Sequence, residues 1–205
     1  MGGMALTVGQ QAMLLELARM YIRRAVGGSA IAVPEEIDAA LRQPAGCFVS
    51  LHTLSGHRLR GCVGRIDASH PLIEALRSAA VHVLHDPRFA TNPVCVEELP
   101  LLEIEVSVLA PPRAASGPFD FDPLQDGIYL TFGARSGCFL PQVGRETGWS
   151  REELLNRLCV EKLGLPHTTW RHPYARLHVF SVLVIGPEPF ETAASAQIGK
   201  QPADA

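Results

Sequence analysis

Leu102-Glu103-Ile104-Glu105-Val106-Ser107-Val108-Leu109 alternates apolar and polar side chains along its length. Successive side chains of an extended strand point to opposite faces. Leu102, Ile104, Val106 and Val108 therefore share one face, and Glu103, Glu105 and Ser107 the other. A strand buried on one side only belongs to an antiparallel sheet, whereas a doubly wound parallel sheet carries near-continuous apolar runs. The two glutamates read as the solvated side of the strand.

Upstream, Phe48 to Leu54 is β-rich, Ser55-Gly56-His57 is turn chemistry, and Arg58 to Val63 is a second strand, which together predict a hairpin. Ser69-His70-Pro71 opens a helix to about Leu84, and Asp86-Pro87 closes it because a residue before proline is pushed out of helical geometry. Thr7 with Gln10 forms a capping box for a first helix, Val8 to Val26. Its Leu15, Ala18, Ile22 and Ala25 recur at helical spacing, with Arg19, Arg23 and Arg24 on other faces. Pro34 starts a short second helix that ends before Pro44.

Downstream, Pro111 to Pro123 is a turn-rich connector. Gly127 to Phe132 and Gly137 to Leu140 form a hairpin, and Pro141 ends its second strand because proline cannot donate to the ladder. Ser150 with Glu153 caps a helix to about Leu163, which Gly164 ends. Leu177 to Ile185 is a last strand, and the tail from Thr192 reads as disordered. This order is too irregular for a doubly wound sheet. The expected fold is α+β, an antiparallel or mixed sheet flanked by helices.

The 205 residues are 47% hydrophobic and 19% charged, the composition of a folded globular chain. The net charge is -3 and the pI near 6.2, with no basic stripe, which argues against nucleic-acid binding. No run of 18 apolar residues predicts a transmembrane helix. Met1 to Thr7 has no secretory signal character, so a soluble, cytoplasmic protein is expected. The thiols Cys47, Cys62, Cys95, Cys138 and Cys159 contain no CxxC pair, and the default reading of each is a small buried hydrophobe.

Leu59-Arg60-Gly61-Cys62-Val63-Gly64 is the segment richest in chemistry. Glycines weaken a strand, so two of them around one thiol point to a bulge or a close backbone approach. Arg60 and Arg65 lie near Cys62 in sequence, and positive charge lowers a thiol pKa. A thiolate beside uncrowded backbone amides suits acyl-transfer or redox chemistry. An inert strand cysteine in a packed corner is the alternative.

This hexapeptide also resembles the LRGCIG signature of the AMME chromosomal region gene 1 (AMMECR) domain family, known too as AmmeMemoRadiSam system protein A. Gly46 to Leu51 resembles the family's GxFVTL strand, and Asp86-Pro87-Arg88-Phe89 its DPRF. Glu98-Leu99 with Leu102 to Leu109 is similar to EL-x-IEVSVL, Asp126-Gly127-Ile128 to DGI, and Gly137 to Val143 to GLLLPQV. Gly148-Trp149 and Lys162 to Pro166 are similar to GW and KAGLP. The resemblance spans about residues 10 to 187 in the expected order. Ala90-Thr91 replaces two prolines common in the family. Cys47 and Cys138 stand where aliphatic residues are usual, which argues that both fill core.

The resemblance implies one domain over residues 1–190, built from two interleaved, unequal subdomains with the signature facing a cleft between them, and a tail over 191–205. It implies a modification pathway shared with Memo-like and radical SAM proteins as partners, but not a reaction. Two readings stand. In the first, Cys62 is the reactive thiol of an enzyme, Arg60 stabilises its thiolate or binds an anion, and His57 or His85 is the base. In the second, the chain is a non-catalytic adaptor presenting the cleft to a protein or small molecule. Gly61, Gly64, Asp86, Arg88 and Gln142 are the candidate binding residues in both. Arg88 beside Asp86 reads as an anion clamp or as an ion pair fixing the helix exit. His82 and His85 lack a third ligand at convincing spacing, and the glycine pattern is not that of a phosphate loop. No metal, flavin or nucleotide is expected.

Overall fold

A computed structural model of the chain describes residues 5–28, 30, 32 and 36–191. The capping box is formed: Thr7 N donates to Gln10 Oε1 at 2.9 Å and Gln10 N to Thr7 Oγ1 at 3.3 Å, opening helix α1 (Val8–Val26). The hairpin is strands β1 (Gly46–Thr53) and β2 (Leu59–Arg65), paired antiparallel. Helix α2 (Leu72–His82) continues as a 3-10 turn, Val83–His85, before Asp86 and Pro87 end it. The alternating stretch is β3 (Leu102–Leu109). A two-residue strand β4 (Arg113–Ala114) lies in the connector, followed by the antiparallel pair β5 (Asp126–Phe132) and β6 (Arg135–Phe139). Helices α3 (Pro141–Thr147) and α4 (Arg151–Arg157) follow, and α4 runs on as a π-helical turn to Leu163. Strand β7 (Arg176–Pro189) is last. The fold is α+β, as the sequence predicts.

The chain divides into two compact units. One comprises Ala5–Val108 with the described residues from Val184 onward; the other is Leu109–Leu183. In the first, the sheet order is β2–β1–β3–β7, which leaves β2 at an edge. Helix α2 packs on α1, β1 and β2. Cys47, Val49 and Leu51 of β1 and Leu102, Ile104 and Val106 of β3 are buried, as are Leu14, Leu15, Ala18 and Ile22 of α1. The alternation of β3 thus marks its core face, as read. In the second unit β7 pairs antiparallel with β4 and β5, and Ile128, Leu130, Phe139, Leu154, Leu155 and Leu158 belong to its core.

Several local expectations change. The short second helix is a 3-10 turn, Ala39–Arg42, capped by Asp38; Pro34 and Glu35, like the tail from Thr192, lie outside the described residues. Pro141 does end its strand, but it also opens α3, an element the turn reading missed. Arg19, off the apolar stripe in sequence, is nevertheless buried. It is 1% exposed, because Glu16, Glu188 and the Pro189 carbonyl accept from its guanidinium at 2.6, 3.0 and 2.9 Å. Glu103 and Glu105 are half-buried rather than solvated. Cys95 is exposed and Cys138 half-buried, so neither fits the default of a buried hydrophobe.

Candidate functional site

The two signature glycines are explained by packing. A Cβ on Gly61 would stand 2.8 Å from the Val83 carbonyl oxygen, and one on Gly64 would collide with the Cys47 carbonyl and the Phe48 backbone. Glycine is required there because α2's exit and β1 approach β2 too closely for any side chain. Since Gly61 faces the helix side, Cys62 points to the opposite face of the sheet.

Cys62 lies opposite Ser50 in the β1–β2 register, and their side chains hydrogen-bond. Its backbone faces the open edge of β2. There Cys62 N donates to Asp86 Oδ2 at 2.9 Å, and Arg88 Nη2 donates to the Cys62 carbonyl at 3.2 Å. Arg88 also donates to both Asp86 oxygens, at 3.0 and 2.6 Å. Asp86 and Arg88 therefore supply what a neighbouring strand would, satisfying an edge that is otherwise open to pairing. Asp86 is 3% exposed. Burial alone would raise its carboxyl pKa, but hydrogen bonds from Arg88 and from the Cys62 amide outweigh that and hold it at about 2.

Burial pushes the Cys62 thiol up; the Ser50 bond and the Arg88 charge pull it down less strongly, while Asp86 and Glu105 add to the rise. Arg60 is not among the charges acting on Cys62. It is 7% exposed, gives Nε to Glu98 at 2.5 Å and Nη2 to the Asn92 carbonyl at 2.6 Å, and stacks 5.4 Å from the Phe89 ring centre. The structure thus joins Cys62, Gly61, Gly64, Asp86 and Arg88 in one neighbourhood and gives Arg60 a structural ion pair.

The two candidate bases are placed differently. His85 is exposed at the end of its 3-10 turn. His57 contacts Glu103 through Nδ1 and stacks on His52, ring centres 4.3 Å apart. His82 Nδ1 contacts the Ser78 carbonyl at 2.7 Å, inside its own helix. Gln142 belongs to the Leu109–Leu183 unit, half-buried at the start of α3. That unit also holds a cavity of about 470 Å³ walled by Leu130, Leu155, Trp170 and Leu177, and the predicted site residues do not line it.

Sequence reasoning missed Ser50, Glu98, Glu105 and His52. Ser50 was readable in principle, because pairing the two strands of the hairpin sets it opposite Cys62. The partners from β3 and from the 3-10 turn Val96–Leu101 carry no local signal.

A protein-family model named AMMECR1 matches residues 15–185 of the chain. The protein belongs to the AMMECR1 family. Among its relatives, an AMMECR1-type protein of Methanocaldococcus jannaschii is 34% identical over 186 residues, covering 87% of this chain and 90% of its own. Another, of Thermococcus gammatolerans, is 38% identical over 185 residues, covering 85% and 89%. The crystal structure of an uncharacterized protein from Pyrococcus horikoshii superposes with a TM-score of 0.77 at 35% identity, covering 84% of this chain and 88% of that one. The Pyrococcus horikoshii chain therefore shares the fold of this one. Among the described residues, no helix of this AMMECR1 protein is long and apolar enough to cross a membrane.

Proposed function

We propose that this AMMECR1-family protein is a binding module and that Cys62 works as a neutral thiol on its binding face, not as a nucleophile. The observation that supports this is the environment of the thiol. A cysteine nucleophile needs a thiolate near neutral pH. Burial holds the Cys62 proton on, and Arg88, the cation beside it, is engaged by Asp86. The Cys62 amide, which an acyl-transfer enzyme would offer to an oxyanion, is occupied by the Asp86 carboxylate. The glycines that suggested exposed amides serve packing instead.

The surface proposed for contact is the sheet face on which Cys62 and Glu105 are half-buried, with the buried Ser50 between them, and its partner a protein or a small molecule. Memo-like and radical SAM proteins, which the family resemblance suggests, are the first to try. Iodoacetamide labelling of Cys62 across pH tests the reading. The expected midpoint lies above the ordinary thiol value. Rapid labelling at neutral pH, or a covalent adduct captured by wild type and absent from Cys62→Ala, overturns it in favour of the enzyme.

A further inference from the structure

We propose that His52, His57 and Glu103 form a binding site for a single divalent transition-metal ion of the zinc class. The proposal is independent of the role of Cys62. These residues come from three places in the chain: the end of β1, the hairpin turn and the start of β3. Yet one ligand atom from each lies within 4.8 Å of the others.

The hairpin itself creates the juxtaposition. A register shift between Leu51 and His52 sets His52 opposite Leu59, and Gly56 and His57 reverse the chain with φ of 81° and 47°. His57 is the non-glycine residue with positive φ among those described. That conformation is costly for a side chain bearing a Cβ and persists only where its surroundings require it. Here it carries the imidazole back over the strands, onto His52 and against Glu103.

The donor set suits the ion. Two imidazoles and one carboxylate match zinc and its neighbours, and hard cations such as magnesium prefer all-oxygen sites. The three ligand atoms already lie within 4.8 Å of one another, but ligands about 2.0–2.2 Å from a shared ion stand farther apart than the touching His57 Nδ1 and Glu103 oxygen, so that pair must part to admit it. His57 is 56% exposed on a turn, so its ring has the freedom to do so against the largely buried Glu103. His52 supplies a second, independent sign: its Nδ1 is buried and has no hydrogen-bond partner. Coordination turns the rings out of their stack, and the ion takes the place of the direct His57 Nδ1–Glu103 contact, with the neutral imidazole carrying its single proton on Nε2. Three protein donors leave the remaining position to water or an outside ligand.

The alternative is a metal-free His–Glu ion pair under a stacked ring. To separate the two, the full chain is stripped with chelator and titrated with Zn²⁺ against a chromophoric competitor, and Co²⁺ is used to read ligand type. His57→Gly removes a ligand while relieving the positive φ, so it keeps the fold; Glu103→Gln is its near-isosteric companion. The expected result is one ion per chain, with affinity falling at least about tenfold in each variant and unchanged in His82→Ala. The cobalt spectrum should lack thiolate charge transfer. The proposal is overturned by absence of binding, by wild-type affinity in both variants, or by a cobalt–thiolate band that Cys62→Ala abolishes.

Discussion

The Asp86 carboxylate accepts the Cys62 amide at 2.9 Å, so the strand that carries the signature thiol is closed at its edge by a side chain from 24 residues further on. The DPRF segment gains a physical meaning from this. Pro87 turns the chain out of the helix exit, Asp86 reaches the amide, and Arg88 completes the pair by reaching the carbonyl.

Asp86→Asn should destabilise the protein by about 1–3 kcal/mol, because it removes the charge that Arg88 pairs with from a site almost without solvent. Urea unfolding at neutral pH measures it. A loss near zero would show that the edge clamp contributes nothing.

The same group sets an acid limit. Its folded pKa, about 2, lies below the ordinary carboxyl value, so its contribution is complete above about pH 4 and is lost as pH falls toward 2. The loss should be on the order of 2 kcal/mol in wild type. Asp86→Asn should lack that part of the acid transition, which stability curves at successive pH values would show.

Cys95, Cys62 and Cys47 should differ in reactivity in a set order. Cys95 is exposed and should label first. Cys62 should need higher pH, and Cys47, fully buried with its thiol pushed up to about 12, should label only on unfolding. Mass spectrometry of timed alkylation reads this directly; early labelling of Cys47 would contradict the packing of β1.

Gly64→Ala should cost about 3 kcal/mol or more, since its Cβ would collide with the backbone of β1, which cannot step aside. Gly61→Ala meets Val83, at the softer exit of α2, and should cost less, about 1–3 kcal/mol. Thermal unfolding of the two variants tests the ranking, and the reverse order would mean that the α2 exit is the more rigid contact.

The amino-acid sequence by itself determined the elements. The Thr7 and Ser150 capping boxes, the alternation of β3 and the turn at Ser55-Gly56-His57 are local patterns, and local hydrogen bonding and side-chain period suffice to realise them. It also singled out the glycines around Cys62, although as a catalytic feature; the structure shows that they admit Val83 and β1. Tertiary structure alone decided which charges meet. Arg60 lies two residues from Cys62 yet pairs with Glu98, while Arg88, distant in sequence, reaches the Cys62 carbonyl. Arg19 is buried because the end of β7 brings Glu188 to it, and Glu103 meets His57 because β3 lies next to β1. Spacing along the chain sets the face a side chain occupies. Its partner depends on strand order and register, which are set by the packing of the whole sheet.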